Sequence, residues 1–305
     1  MARRRRGLPV NGVLLLDKPR GLSSNHALQR VRHLFQAQKA GHTGTLDPMA
    51  TGLLPVCFGE ATKFSAHLLE ADKVYRTRVE LGAITDTGDA EGEVVERRAV
   101  PRLTEADVEG VLSRFRGEID QVPPMYSALK HQGRKLYELA REGKSIERAA
   151  RRVTVYDARL LALADTAFEL EVRVSKGTYI RTLAEDIGQV LGCGAHISAL
   201  RRLATGPFTS EGMLTLESLE AMPGEAERET ALLPVDVLVD HLSWLEVDAA
   251  VASRLTHGQQ ARVEAGDLVE GETTRLYRDG IFLGLGTVTG PQEVAPKRLL
   301  STAAD

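Results

Sequence analysis

The sequence predicts a two-domain α+β protein, in which a mixed, largely antiparallel sheet with helices is followed by a small C-terminal β-barrel. Three observations predict it. Residues 74–81 and 167–175 alternate apolar and polar side chains, the period of half-buried strands. Between strand-like runs lie stripes of helical spacing, such as Val108, Val111, Leu112 and Phe115. From about Leu242 the texture changes to short strands at 261–263, 274–277 and 281–285, broken by Gly and Asp, which is the pattern of a small barrel. A chain of 305 residues, 43% apolar and 27% charged, is long enough for both units. The expected division is 1–241 and 242–305.

Taken in order, the basic run Arg3 to Arg6 has no apolar signal core after it and reads as a flexible tail or a phosphate contact. Residues 12–17 form a short apolar strand and Lys18-Pro19-Arg20-Gly21 a turn, in which Lys18 reads as a solvated residue or as one with a structural role beside the Asp47 loop. Ser23 or Ser24 then caps a helix with the stripe Leu28, Val31, Leu34 and Phe35. Residues 39–55 hold Gly41, Gly44 and Gly52, and Pro48 stiffens the backbone at Asp47. Asp47 is thus a lone carboxylate in an ordered loop whose small neighbours let a ligand come close; Asp-Pro alone is an ordinary turn. Residues 53–58 continue as a buried strand, and 61–69 as a helix. The strand 74–81 puts Tyr75, Thr77, Val79 and Leu81 on one face, where Tyr75 reads as a core tyrosine. Asp86 and Asp89 sit in a glycine-containing turn whose spacing departs from a calcium loop. Thr104 and Asp107 make a capping box for the next helix.

Composition shifts between residues 123 and 152, where eight basic side chains stand against three acidic ones. A solvated face accounts for most such runs. Here the excess lies in a chain of net charge −3, and that asymmetry suits a phosphate backbone. Strands at 153–163 and 167–175 follow. Residues 176–183 open a helix along Ile180, Leu183, Ile187 and Leu191, which Gly192 stops. Arg181 near that N-terminus opposes the macrodipole and calls for an anionic partner, ordinarily a surface salt bridge. Leu200 reads equally well as core, 223–229 as a loop. The last unit, with nine acidic and six basic residues, shows no independent sign of RNA binding. No apolar run reaches the length of a membrane span. Cys57 and Cys193 lack metal-ligand spacing and suit a reducing cytoplasm.

Several stretches together carry a family resemblance. Residues 41–55 read G-H-T-G-T-L-D-P-x-A-x-G-L-L-P, 73–75 read K-V-Y, 176–181 read K-G-T-Y-I-R and 198–202 read S-x-L-R-R. With Asp17-Lys18-Pro19-x-Gly21 and the stretch from Val122 to Ala128, these are similar to the motifs of the TruB family, pseudouridine synthases that isomerise a uridine in the T-loop of tRNA. The resemblance covers nearly the whole chain; Ser23 departs from it, where Thr is usual. It implies a pseudouridine synthase fold ending in a PUA-like domain, and action on uridine 55. It implies that Asp47 is catalytic with Arg181 as its ion-pair partner, that Tyr75 stacks on the base and that Tyr179 and Leu200 complete the pocket. His42 would fill space left in the RNA loop. The insertion at 123–152 would close over the T-arm, with Arg134, Lys135, Arg141 and Lys144 on its backbone. The expected partner is tRNA, with no cofactor, metal, membrane or obligatory protein partner, and a monomeric state. Asp47 could attack C1′, attack C6 or remove the C2′ proton, and all three routes stay open. The rival readings are a guide-RNA-dependent synthase, a non-catalytic RNA-binding protein and a sugar-active hydrolase. The last lacks a second carboxylate motif.

Overall fold

A computed structural model describes residues 7–263 and 269–301; the basic run at the N-terminus lies outside the described residues. The chain runs through β1 (Gly12–Lys18), α1 (Ser24–Leu34), β2 (Ala40–His42), β3 (Thr51–Phe58), α2 (Ala66–Leu69), β4 (Lys73–Leu81), the hairpin β5 and β6 (Ala83–Thr85, Val94–Arg97), α3 (Glu105–Phe115) and β7 (Gly117–Gln121). Next come the hairpin β8 and β9 (Lys130–His131, Arg134–Lys135), α4 (Leu136–Arg141), β10 (Arg151–Ala164), β11 (Ala167–Val174), α5 (Ile180–Val190), β12 (Ala195–Thr205), α6 (Leu216–Ala221) and α7 (Glu225–Glu229). Last are β13 (Trp244–Glu246), α8 (Ala249–Thr256), β14 (Ala261–Arg262), β15 (Thr273–Arg278), β16 (Ile281–Gly290) and β17 (Glu293–Leu299).

The main sheet has the order β1-β3-β12-β4-β11-β10-β7, with β2 also paired to β3. Every pairing in it is antiparallel except β12 beside β3. That junction depends on Gly52, at φ +95°, where a Cβ would lie 2.3 Å from the Arg202 carbonyl oxygen. Without a side chain there, β12 can lie close against the strand that leaves the Asp47 loop.

The period-2 pattern is realised on one buried face: Val79 and Leu81 of β4 pack with Phe168, Leu170, Val172 and Val174 of β11 and with Ile180, Leu183 and Ile187 of α5. The opposite side of β1 and β3 presents Val13, Leu15, Leu53 and Cys57 to a second cluster, completed by Phe64, Leu68, Phe282 and Leu285. The C-terminal sheet therefore covers the back of the main one. Its order is β13-β15-β16-β17-β14, a curled half-barrel. Register shifts at Leu276/Tyr277 and Leu285/Gly286 supply the curl.

Two local expectations change. Residues 61–69 are not one helix but a 3-10 turn, Gly59–Lys63, and then α2. The hydroxyls of Thr62 and Ser65 donate to the carbonyls three residues back, at 2.7 and 3.1 Å, which favours the tighter turn. Residues 223–229 are not all loop, since they contain α7. Arg228 seats it by donating to the Leu219, Met222 and Leu34 carbonyls. Among the described residues no helix is long and apolar enough to cross a membrane.

Candidate active site

The Asp47 loop is held at almost every peptide. Thr43 N–H donates to Pro55 O at 3.1 Å. The Ser24 hydroxyl accepts from Leu46 N–H at 2.7 Å and donates to Leu46 O at 3.0 Å. Pro48 O accepts from Gly21 N–H at 2.8 Å and from Lys18 Nζ at 3.3 Å. Lys18 also donates to Pro19 O and Leu22 O, so the D-K-P-x-G turn is strapped to the loop by a fully buried ammonium. Burial pulls Lys18 down to about 8, with Asp47 and Glu91 opposing. Arg202 closes the loop's two ends, donating to Leu53 O at 2.7 Å and Gly44 O at 3.2 Å.

The strapped loop aims Asp47 at the first turn of α5. Arg181 Nε stands 3.0 Å from Asp47 Oδ2, and the Arg181 side chain is only 4% exposed while Asp47 keeps 35%. The two terminal guanidinium nitrogens each donate to a carbonyl, Nη1 to Thr87 O at 2.7 Å and Nη2 to Tyr126 O at 2.6 Å. Arg181 is thus no surface side chain but is fixed from three sides. A second carboxylate, the buried Asp89, lies 3.8 Å from Arg181 Nε. Burial pushes the Asp47 carboxyl above its usual range; Arg181 opposes this most, Asp89 adds to it and Lys18 opposes it. One turn along α5, burial pushes Glu185 up to about 7.

A cavity of about 250 Å³ opens over this pair, lined by Asp47, Tyr75, Tyr179, Arg181 and Leu200, with Lys73, Ser127 and Arg202 in its wall. Five of the six site residues named by resemblance therefore converge. His42 does not line it; it ends β2, at the start of the loop, half-buried and with Nδ1 lacking a partner among the described residues. Burial and nearby Arg202 lower its pKa, which disfavours the charged form of the ring.

The insertion reaches the site through its root, where Tyr126 O holds Arg181 and Ser127 lines the cavity. Of the four cations named for RNA, Arg134 and Lys144 both pair with Glu142. Lys135 and Arg141 each lie 5.4 Å from the centroid of the Tyr137 ring. Asp89, Gln121 and Arg202 were not singled out by sequence. Arg202 stands inside the S-x-L-R-R motif, which was its available signal; Asp89 had none beyond a turn, and Gln121 had none.

Family models match the chain in three segments. Residues 32–180 match "TruB family pseudouridylate synthase (N terminal domain)", 181–240 match "tRNA pseudouridylate synthase B C-terminal domain", and 244–300 match "Pseudouridine synthase II TruB, C-terminal". A curated relative from Chromohalobacter salexigens, tRNA pseudouridine synthase B, is 67% identical over 304 residues, covering all of this chain and 99% of its own. One of the same name from Azoarcus sp. is 55% identical over 96% of both chains. Among solved structures, a chain of an H/ACA RNP bound to a substrate RNA containing 2′-deoxyuridine is similar at TM-score 0.73 and 25% identity, over 98% of this chain and 91% of that one. A chain of a Cbf5-Nop10-Gar1 complex is similar at TM-score 0.73 and 26% identity, over 98% and 90%.

Proposed function

Since the chain belongs to the TruB family of pseudouridylate synthases, we propose that it isomerises uridine 55 in the T-loop of tRNA, with Asp47 as the catalytic carboxylate. The observation that carries this reading is the 3.0 Å contact of Asp47 with a buried, threefold-anchored Arg181 on the floor of the cavity.

Uridine becomes pseudouridine when the C1′–N1 bond breaks, the uracil turns and C5 bonds to C1′; the C5 proton leaves and N1 gains one. The reaction neither adds nor removes atoms or electrons overall, so it calls for no cofactor. A stacked base cannot turn, so the nucleotide must leave the loop and enter the cavity. Tyr75 offers its ring for stacking, Tyr179 and Leu200 the other walls. His42, outside the cavity but on the same loop, fills the space that the base vacates in the RNA loop. Whichever of C1′, C6 or the C2′ proton Asp47 engages, it must be ionised. Arg181 opposes the rise that burial imposes and fixes the carboxylate's direction, as an orienting partner does in a preorganised site. The insertion 123–152 grips the T-arm through Arg134, Lys135, Arg141 and Lys144. The chain acts as a cytoplasmic monomer without a protein partner.

The test is chemical labelling of pseudouridine in an unmodified tRNA transcript after incubation with the purified chain alone. Labelling at position 55 is expected. A chain that modifies nothing until a guide RNA or another protein is added would overturn the reading.

A further inference from the structure

Gln121 is the last residue of β7, the edge strand that leads into the insertion, and it is 2% exposed. Its carboxamide is engaged at both ends by a single residue. Tyr179 N–H donates to Gln121 Oε1 at 2.7 Å, and Gln121 Nε2 donates to Tyr179 O at 3.1 Å. Tyr179 is the N-cap of α5, extended at φ −99° and ψ 112°, and no side chain caps the helix from that position. The Tyr179 ring lines the cavity, and Arg181 follows two residues later.

We propose that Gln121 is a positioning residue for the isomerisation, resting on the function given above. It fixes the Tyr179 peptide, and with it the Tyr179 ring and the entry of the helix that carries Arg181. A buried carboxamide satisfies the N–H and the C=O of one residue together, as a neighbouring strand does, and so holds both peptide groups that flank the Tyr179 Cα; the Tyr179 carbonyl also accepts from Leu183 N–H at 3.0 Å, the first bond of the helix. Five residues on, Tyr126 O accepts from Arg181 Nη2 at 2.6 Å. The root of the RNA-gripping insertion therefore holds the pocket wall and the aspartate's partner at once. Displacing reacting groups by about 1 Å costs on the order of a hundredfold in rate, so the geometry of this peptide bears directly on turnover.

Two variants test it. Gln121→Met keeps the length and removes both hydrogen bonds; a single-turnover rate constant about 10- to 100-fold below the parent is expected, with tRNA affinity within about threefold. Gln121→Glu keeps the acceptor, and can donate to Tyr179 O only when protonated. Burial raises a carboxyl's pKa, so its rate relative to the parent, measured at each pH, should climb as pH falls. In a double-mutant cycle, Gln121→Met and Tyr179→Ala should be less than multiplicative, and Gln121→Met and Leu200→Ala multiplicative. Amide exchange across residues 176–185 should quicken in Gln121→Met, and this reports the hold on Tyr179 even if the parent proves inactive on tRNA, which would count against the function instead. A parent-like rate constant in Gln121→Met, or a pH-independent deficit in Gln121→Glu with full multiplicativity in both cycles, would overturn the positioning role.

Discussion

Replacing Arg181 with Met probes the coupling between charge and geometry at the site. Methionine has comparable reach but no donor, so the contacts to Asp47 at 3.0 Å, Thr87 O at 2.7 Å and Tyr126 O at 2.6 Å all go. One hydrogen bond to a charged group is worth about 1.5–3 kcal/mol, which converts to a rate loss of roughly 10- to 150-fold. Stripping a buried ion pair of one partner costs about 3–5 kcal/mol of stability. The lower end is expected, because Asp47 keeps about a third of its side chain in solvent. The deficit should also depend on pH. Burial and Asp89 push Asp47 up, and Arg181 is the strongest force holding it down. Without it the carboxyl rises further, and more of it is protonated at a given pH. The acid limb of the rate profile must then move to higher pH, so the variant's deficit grows as pH falls across the assayed range. Single-turnover assays across that range, beside thermal melts, measure both effects. A rate profile of the parent's shape, or a loss under about threefold, would refute the argument that Arg181 keeps Asp47 ionised.

Gly52→Ala should cost more than about 2 kcal/mol in a thermal melt, because the residue sits at φ +95° and its Cβ would press on the Arg202 backbone; a parent-like melting temperature would show that β12 can give way. Glu142→Gln releases Arg134 and Lys144 from their shared partner, so tRNA binding should tighten and the slope of log affinity against log salt should steepen. Neutralising Arg134, Lys135, Arg141 and Lys144 together should make that slope shallower. Unchanged slopes in both would return the insertion to an ordinary solvated face.

Local rules made much of the fold legible. The alternation in β4 and β11, the Thr104 capping box and the Ser23 cap are set by neighbours a few residues away, and the structure has each of them. The pairing of Asp47 with Arg181 spans 134 positions, and no period or spacing encodes it; only the resemblance brought the two together. Asp89 was read as a turn residue correctly, since its carboxylate accepts from the Thr87 hydroxyl and from Glu91 N–H, but its approach to Arg181 needs the whole sheet in place. Arg202 is a cation that composition would put in water, and Lys18 was open between that and a structural role beside the loop; both are buried and donate to carbonyls. Their work is to brace one loop, and that is visible only once its peptides are located. The texture change at Leu242 was visible, whereas the packing of Phe282 and Leu285 against β1 and β3 was not.

The central claim is that Asp47 carries the reaction, and Asp47→Asn tests it most directly. Asn keeps the size and the turn before Pro48. Asp47 sits above its ordinary pKa in the fold, so its ionisation weakens the folded state as pH rises from about 3.8, the ordinary value, through the raised value, and not beyond. Asn sheds that destabilising charge but leaves the buried Arg181 facing a neutral partner, so the variant should still fold and melt cooperatively at pH 7. It should bind tRNA within about tenfold of the parent, roughly 1.4 kcal/mol. With enzyme in excess, so that product release cannot limit the signal, no pseudouridine should form at position 55; substantial formation by a verified Asp47→Asn preparation would contradict the account.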